Sequence, residues 1–407
     1  MSILKALTRH ANWAFAPLLL PLSIVPIVLM APALAESHDS FKRLWLNRAT
    51  VAAPNVTLTA AQKAKFVPLP TFRGAVPVLT YHGIDPVVDS KYTITPQNLA
   101  TQMAMLKQAG YHPISAAQYA RHPGGSAKDL PSRPILITFD DGQLDSWRYA
   151  DPILKRFGFR ATMFVITDPV DRGNPYYLRW DEFRKLRDSG RWDLQLHAAA
   201  MHKMVRIDAK GTPGAAYANR QFVDGRLESF ATYQRRVTND LDVGLRRMRE
   251  ELGTVRPDAF AYPFSADGSW QTNDKRIPAF LDQTLHARFS AVFDDGHPVQ
   301  PPRAAQRTLE RQEVNTDTTA EALYDWLAID PRTPAEAKAQ DAAHAAETTQ
   351  AATTATAAAA ATAATAHRTH TKARRQATHR RRAATHRRKT ARHRKAARRD
   401  TKHSTRR

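Results

Sequence analysis

The sequence predicts a parallel α/β fold, and a barrel rather than an open sheet. Segments of strand length alternate with segments of helical periodicity over about 250 residues, as in α/β barrels. Pro134–Phe139 is apolar at most positions, which is typical of a strand buried on both faces. Asp140 and Asp141 follow it, and polar residues also follow three other predicted strands. The carboxyl ends of parallel strands form one rim of a barrel, so we expect these polar side chains to meet there.

The elements of the first half follow from apolar runs and from capping residues. Val76–Thr80 is a predicted buried strand that precedes Tyr81-His82-Gly83. Thr95 suits a helix N-cap, and Gly110 ends that helix. Four further elements are predicted before the central strand Ile135–Phe139 or shortly after it: a strand at Tyr111–Ile114, a helix near Ala116–Ala120, a helix near Ala150–Phe157 and a strand at Ala161–Ile166.

The second half continues the alternation of strands and helices. An amphipathic helix runs from Phe230 to Leu252 and ends at Gly253. Residues 203–225 are polar and are predicted to form a long loop. The other predicted elements are a helix at Trp180–Ser189, strands at Trp192–Leu196, Phe260–Phe264 and Phe289–Phe293, and a last helix around Leu323, Trp326 and Leu327.

Residues 1–35 are typical of an export signal. Lys5 and Arg9 precede an apolar run over residues 13–30, and Ala33-Leu34-Ala35 is a small-x-small cleavage site. The sequence therefore predicts an exported protein, in the periplasm, at the cell surface or secreted. If the signal is not cleaved, residues 13–30 would anchor the protein in a membrane. The chain has no cysteine, so histidines and carboxylates would have to hold any metal.

The C-terminal end cannot form a core. Residues 335–407 contain no large apolar side chain; residues 331–366 form an Ala/Thr-rich linker, and residues 367–407 form a disordered basic tail. That tail holds 18 Lys or Arg against one Asp, so it carries +17 of the net charge of +22. It would bind an anionic surface, wall polymer or extracellular DNA by counterion release, or be a solvated tail without a dedicated partner.

The domain itself is predicted over residues 74–330, after a lead-in at residues 36–73 with few apolar positions and no clear motif. Four strand ends bring polar groups to its rim; the residues are His82, Asp140 with Asp141, His197 with His202, and the Tyr262-Pro263-Phe264 turn. Two histidines and one carboxylate suffice to hold a divalent cation with open positions for water and substrate. Taken singly, a histidine at such a site is more often a core or surface residue with satisfied hydrogen bonds, but two histidines and two aspartates at matching strand ends favour the site.

Three motifs resemble those of NodB-type polysaccharide deacetylases, carbohydrate esterase family 4. They are Tyr81-His82-Gly83, Thr138-Phe139-Asp140-Asp141-Gly142 and His197…His202, and the resemblance covers residues 74–330. The five-residue spacing of the histidines and the Tyr177-Leu178-Arg179-Trp180 stretch resemble the branch that deacetylates poly-β-1,6-N-acetylglucosamine of the biofilm matrix. The resemblance implies a distorted (β/α) barrel and a metal-dependent hydrolase that removes N-acetyl groups from an N-acetylglucosamine polymer.

The resemblance also implies a role for each site residue. Asp140 would be the general base. The leaving amine needs a proton: His82 lies on the proper rim to supply it, and Asp140 could return the one that it took. The metal ligands would be Asp141, His197 and His202; the backbone N–H of Phe264 would hold the oxyanion, with Tyr262 and Trp180 as further oxyanion or substrate contacts. The expected metal is zinc, with nickel, cobalt or iron as alternatives, and the expected protein is a monomer.

Three positions depart from the family pattern. Ala198 replaces the Ser or Thr that usually follows the first metal histidine, and the usual Pro-Tyr-Gly turn reads Pro263-Phe264-Ser265. The late Leu-x-His motif has only His286 as a candidate, inside a predicted helix. Two alternatives therefore stay open: a deacetylase of peptidoglycan or chitin-like β-1,4 glycans, and a non-catalytic matrix protein that binds glycan.

Overall fold

The computed structural model describes residues 38–69, 76–121, 130–253, 257–269, 271–295 and 308–329, which belong to one compact unit. The predicted signal over residues 1–35, the linker and the basic tail lie outside these ranges, so they and the domain boundaries stay predictions. Within the described ranges, no helix combines the length and the apolar character needed to cross a membrane.

The strands of the described residues lie mainly in one sheet whose neighbouring strands are all parallel. In chain order the strands are β1 (Val78–Tyr81), β2 (Gly83–Ile84), β3 (Thr93–Ile94), β4 (His112–Ile114), β5 (Pro134–Phe139), β6 (Ala161–Ile166), β7 (Trp192–Ala198), β8 (Met204–Arg206), β9 (Pro213–Ala215), β10 (Phe222–Val223), β11 (Arg226–Leu227), β12 (Ala259–Ala261), β13 (Ala291–Asp294), β14 (Thr308–Glu310) and β15 (Gln312–Glu313). Along the sheet their order is β14-β13-β12-β7-β6-β5-β1-β15, with β4 beside β5.

The last two strands close this sheet into a barrel. Leu309 of β14 pairs with Phe293 of β13, and Gln312 of β15 pairs with Leu79 of β1. Only Arg311 separates β14 from β15, so one short segment joins the two ends of the sheet. The predicted barrel is therefore confirmed, and its closure lies in a segment that the sequence pattern did not mark as a strand.

Helices cover the outside of the barrel. They are α1 (residues 38–48), α2 (Ala60–Lys65), α3 (Pro96–Gln108), α4 (Ala116–Arg121), α5 (Leu144–Phe157), α6 (Thr167–Asp171), α7 (Trp180–Asp188), α8 (Phe230–Leu252), α9 (Ile277–His286) and α10 (Ala320–Leu327). The predicted N-cap of α3 is confirmed, since Thr95 Oγ1 accepts the N–H of Asn98 at 3.1 Å. The predicted stripe of α8 is buried at Tyr233, Val237 and Leu241.

Several predicted boundaries were wrong. Helix α5 begins at Leu144 rather than Ala150, immediately after the turn at Gly142. Strand β12 ends at Ala261 rather than Phe264, because Pro263 and a left-handed Phe264 (φ 59°) form a 3-10 turn. The stretch predicted as a loop at residues 203–225 contains the antiparallel pair of β8 with β9 and the strand β10.

The lead-in is more ordered than its sequence suggested. It contributes α1 and α2, and Leu46 and Phe66 are fully buried against the barrel. Buried Arg43 of α1 donates to both carboxylate oxygens of Glu182, at 2.9 and 3.1 Å, and to the carbonyls of Pro175 and Tyr177. Charged contacts hold much of this segment in place, and contacts of this kind leave no periodic apolar pattern in a sequence.

Candidate functional site

The inward-facing rows of the barrel end in polar residues. Side chains two apart on a strand share a face, and an apolar cluster that includes Val78, Leu136 and Phe293 fills the interior. In the same rows His82 follows Thr80, Asp140 follows Thr138 and His197 follows Gln195. The barrel geometry thus brings these three predicted site residues to one rim, at the carboxyl ends of β1, β5 and β7.

The two adjacent carboxylates after β5 have different surroundings. Asp140 continues the strand and donates its N–H to the carbonyl of Tyr81 at 2.9 Å. It is buried, with 1% of its surface exposed. Asp141 has a φ of 71° and Gly142 a φ of 82°, so the backbone turns sharply between them. This turn directs the Asp141 carboxylate to the histidines while Asp140 stays in the barrel. Glycine is favoured at position 142 for two reasons: its φ is positive, and a Cβ there would lie 3.0 Å from Phe183.

His197 lies at an irregularity of β7. Val165 of β6 pairs with Leu196 and Ile166 pairs with Ala198, so His197 is the extra residue of a bulge, a feature common beside active sites. Its Nδ1 lies 2.8 Å from the carbonyl oxygen of Ala261. Donation to that carbonyl leaves the lone pair on Nε2, which faces the two aspartates.

His202 completes the group from the loop after β7. Its Nε2 lies 3.3 Å from Asp141 Oδ1, and its ring centroid lies 5.0 Å from that of His197. Burial lowers the pKa of His202 to about 4, although the charge of Asp141 opposes the shift. The imidazole is therefore neutral at physiological pH, which is the form that binds a metal.

These three side chains fit a divalent cation. One ligand atom from each of Asp141, His197 and His202 can be chosen so that all lie within 4.8 Å of one another. Asp141 Oδ1 is buried and has no hydrogen-bond partner among the described residues, while Oδ2 accepts the side-chain amide of Gln143 at 2.9 Å. An oriented carboxylate with one unpaired oxygen, beside two imidazoles, is a suitable set of first-row metal ligands.

Arg311 holds Asp140, and sequence reasoning did not identify it. Its guanidinium is fully buried and donates to both carboxylate oxygens of Asp140, at 2.8 and 2.7 Å, while it also contacts Asp295 at 3.1 Å. Burial alone would raise the pKa of Asp140, but the charges of Arg311 and His197 and the Arg311 hydrogen bonds outweigh it and hold this pKa well below its usual range. Asp140 is therefore ionised. The Leu309–Glu313 segment holds a single apolar residue, so its sequence pattern did not mark Arg311 as a partner of this carboxylate.

His82 lies on the same rim, after β1. Its backbone carbonyl accepts the hydroxyl of Ser146 at 2.6 Å, which ties it to the start of α5. Its Nδ1 is buried and has no hydrogen-bond partner within the described ranges, and its charged form would interact favourably with Asp140. The structure therefore brings the His82 side chain into electrostatic range of Asp140.

The turn after β12 lies over His202. The Phe264 ring is 41% exposed and its centroid lies 4.4 Å from that of His202. Tyr262 is 2% exposed and packs against Phe260 and the rest of the core. Phe264 is thus at the opening of the site, whereas the Tyr262 ring is buried and can contribute only through the backbone of this turn.

Two other candidate residues lie in different surroundings. Trp180 begins α7 and donates its indole N–H to Asp171 at 2.8 Å, with Arg247 over its ring. His286 ends α9, where Asp282 lies 3.6 Å away. Since the end of α9 leads into the first residues of β13, His286 belongs to the opposite rim of the barrel. The structure therefore does not bring His286 to the group around Asp141.

A cleft of about 380 Å³ opens beside His202. Tyr177 lines it from the Tyr177–Trp180 stretch, with Asp168, Arg172 and Lys203 among its other walls. Leu178 donates its N–H to the carbonyl of Gly142 at 2.9 Å, which ties this wall to the turn that carries Asp141. The cleft is therefore a groove with charged walls that adjoins His202.

Comparison with known proteins gives consistent matches to one family. Residues 127–277 match the polysaccharide deacetylase family. Over 263 residues the chain is 27% identical to the poly-β-1,6-N-acetyl-D-glucosamine N-deacetylase of Escherichia coli strain K12, covering 60% of this chain and 36% of that protein. It is 23% identical over 174 residues to the protein of the same name from Staphylococcus epidermidis, covering 39% of this chain and 60% of that one. The aligned part thus spans less than two thirds of either relative.

A solved structure matches the barrel. It is a de-N-acetylase from Aggregatibacter actinomycetemcomitans, with a TM-score of 0.54 and 21% sequence identity. The match covers 62% of this chain and 99% of that chain. At this identity the comparison shows that the two proteins share a fold.

Proposed function

We propose that this chain, of which residues 127–277 match the polysaccharide deacetylase family, is a metal-dependent hydrolase that removes N-acetyl groups from an N-acetylglucosamine polymer. One observation carries the proposal above all. An ionised carboxylate, Asp140, lies 3.9 Å from His197, one of three side chains with the geometry of a metal site. A proton acceptor beside a metal site is the pair of functions that amide hydrolysis requires.

The family roles fit these surroundings. When bound by Asp141, His197 and His202, a divalent cation supplies Lewis-acid chemistry that polarises the acetamide carbonyl and lowers the pKa of water. Asp140 accepts the proton of the attacking water, and Arg311 keeps its carboxylate ionised and fixed for that purpose. His82 donates a proton to the sugar nitrogen as the C–N bond breaks, so the products are acetate and a free amine.

The oxyanion and the sugar need contacts outside the metal ligands. The backbone N–H of Phe264 belongs to the turn over His202 and is our proposed oxyanion donor. The cleft lined by Tyr177 would hold a neighbouring sugar of the chain. We retain Trp180 only as a more distant substrate contact, because its indole is engaged by Asp171.

We propose poly-β-1,6-N-acetylglucosamine as the substrate. The five-residue spacing of the two histidines and the names of the two relatives, both poly-β-1,6-N-acetyl-D-glucosamine N-deacetylases, support this linkage over β-1,4 chains. We expect zinc as the metal, with nickel, cobalt or iron as alternatives. Export by residues 1–35, and retention on an anionic polymer through residues 367–407, are proposals that rest on the sequence alone.

Acetate release from defined oligomers tests this function. The purified protein should release acetate from β-1,6-linked N-acetylglucosamine oligomers, and a chelator should abolish the release. Release only from β-1,4 oligomers would keep the reaction and change the substrate. Binding of either oligomer without acetate release, in metal-loaded protein, would instead identify a glycan-binding matrix protein.

A further inference from the structure

A buried carboxylate of helix α8 accepts two hydrogen bonds from the loop that joins His197 to His202. Asp240 is 5% exposed, and its Oδ2 accepts the backbone N–H of Ala199 at 3.0 Å while its Oδ1 accepts that of Ala200 at 2.7 Å. These two N–H groups lie between His197 and His202 in the chain. A single carboxylate thus fixes two consecutive peptide units of the short connection between the ligands.

A second residue fixes the carboxylate itself. The hydroxyl of Tyr217, a fully buried residue, donates to Asp240 Oδ2 at 2.7 Å, and Tyr233 of the same helix donates to the Tyr217 carbonyl. The three hydrogen bonds to Asp240 fill positions on both carboxylate oxygens. Its orientation is therefore determined from the helix side and from the loop side together.

The helix must approach the loop closely for this contact to form. Gly244 lies one turn after Asp240 on α8, and a Cβ there would lie 2.7 Å from Leu196 Cδ1 and 3.5 Å from the Ala199 nitrogen. Glycine at this position leaves the space that the strand end and the loop occupy. From the other side, Asp168 donates its N–H to the carbonyl of Ala199 at 3.1 Å.

We propose that Asp240, oriented by Tyr217, is a positioning residue that sets the placement of His202 relative to His197 and so determines metal affinity. The proposal rests on the proposed metal site. It also offers a physical reason why Ala198 can replace a hydroxyl residue after the first histidine: the loop is held through its backbone by α8. Removing a residue that orients a metal ligand typically weakens metal binding by about 10- to 100-fold.

Asp240→Asn is a sharp test because it conserves volume. The amide has one acceptor oxygen, so in either orientation its NH₂ group faces the N–H of Ala199 or that of Ala200. One loop hydrogen bond is lost and a donor faces a donor, which should displace the loop. Tyr217→Phe keeps both loop hydrogen bonds and removes only the orienting donor, so its effect should be smaller.

Asp151→Asn is the matched control. Asp151 is also a helix carboxylate with several hydrogen bonds, and it accepts the Trp192 indole at 2.9 Å and the Arg191 guanidinium at the opposite end of β7. Both variants therefore remove one carboxylate contact to the same strand. They differ in whether the contact lies beside the histidine loop.

The measurements are the zinc dissociation constant, by competition with a chelating indicator, and the visible spectrum of the cobalt-substituted protein. We expect Asp240→Asn to weaken zinc binding about 10-fold or more and to change the cobalt spectrum. Asp151→Asn should match the wild type in both, even with a comparable loss of thermal stability. If Asp240→Asn fails to fold, a few-fold weaker affinity in Tyr217→Phe is the expected result.

Unchanged zinc affinity and an unchanged cobalt spectrum in folded Asp240→Asn would overturn the proposal, as would unchanged affinity in Tyr217→Phe. An equal loss of affinity in Asp151→Asn would also overturn it, since metal binding would then follow global stability. A wild type that binds neither metal would refute the metal site, and with it the proposed function, which is a result distinct from failure of the positioning role.

Discussion

Arg311→Met should convert Asp140 from a stabilising group at neutral pH into a destabilising one. In the wild type Arg311 is fully buried between Asp140 and Asp295, with both oxygens of Asp140 as acceptors. Methionine occupies similar space without charge. The substitution therefore leaves Asp140 buried with no adjacent guanidinium.

The expected loss in the free energy of unfolding is about 3–5 kcal/mol, the usual cost of removing one partner of a buried ion pair. This is a large share of the roughly 5–15 kcal/mol that stabilises a typical domain. Arg311→Lys should recover only part of the loss. An ammonium lacks the planar fork of donors with which the guanidinium contacts both Asp140 and Asp295.

The loss should depend on pH, and the sign follows from linkage. In the wild type the pKa of Asp140 is lowered, so its contribution is complete above the unfolded value of about 3.9 and is lost only as pH falls through the folded value. In Arg311→Met the charge and the hydrogen bonds of the guanidinium are lost, so burial, the largest single influence, should raise the pKa of Asp140 above the unfolded value even though His197 opposes it. The folded variant then binds a proton that the unfolded chain does not, so its deficit is largest at neutral pH and shrinks as pH falls toward about 4.

Urea unfolding of the metal-free protein, in the presence of a chelator at pH 8 and at pH 5, measures this pH dependence of the free energy of unfolding. The difference between wild type and Arg311→Met should be smaller at pH 5. The double variant Arg311→Met/Asp140→Asn should recover stability relative to Arg311→Met, with Asp140→Asn alone as the control. An equal deficit at both pH values, together with no recovery in the double variant, would refute the reasoning.

Three further predictions concern the supports of the site. Gly244→Ala should lower the free energy of unfolding by about 1–3 kcal/mol, because its Cβ would meet Leu196 at 2.7 Å and overpacking outweighs the gain in helix propensity; urea unfolding would show a stabilised variant if this is wrong. Arg43→Met should lower the free energy of unfolding by about 3–5 kcal/mol, because it leaves Glu182 buried without its charged partner. The double variant Arg43→Met/Glu182→Gln should be more stable than Arg43→Met, and no such recovery in thermal melts would contradict the ion-pair assignment. Phe264→Ala should leave kcat for acetate release within about a factor of ten, since loss of an oxyanion donor costs about 10²–10³; a loss of that size would mean that the ring, not the backbone, carries the role.

The parts of the fold with regular periodicity were predictable from sequence. Strand β5 is apolar at most positions and buried throughout, and α8 carries a clear stripe from Tyr233 to Leu252; both were found where expected. The closing strands were not predicted, because β14 and β15 are three and two residues long and contain mostly polar side chains. Their pairing partners, β13 and β1, are distant in the chain, so local patterns carry no sign of the closure.

The site, like the fold, has one part that local sequence patterns predicted and another part that they did not. His82, Asp140, Asp141, His197 and His202 were found by their positions after strands, and the structure brings them to one rim. Residues that act through long-range contacts were missed. Arg311 is 171 residues from Asp140 in the chain, and nothing in its neighbours marks it as a partner of that carboxylate.

The lead-in shows a related limit. Helix α1 leaves Phe41, Leu44 and Trp45 exposed, yet its Lys42 contacts Asp85 and Asp145 at 2.7 Å each. Asp145 lies next to Ser146, which holds the carbonyl of His82. A segment outside the matched region 127–277 thus supports the rim through ion pairs, and charge contacts of this kind leave no periodic pattern in a sequence.

The central claim assigns different tasks to two adjacent carboxylates, and a paired measurement on Asp140→Asn and Asp141→Asn tests it most directly. Zinc affinity and acetate release from the β-1,6 oligomer would be measured on the same preparations. We predict that Asp140→Asn binds zinc with affinity near that of the wild type and releases no acetate, whereas Asp141→Asn loses zinc binding and activity together. Loss of zinc binding in Asp140→Asn equal to that in Asp141→Asn, or substantial acetate release by Asp140→Asn, would contradict the division of roles between base and ligand.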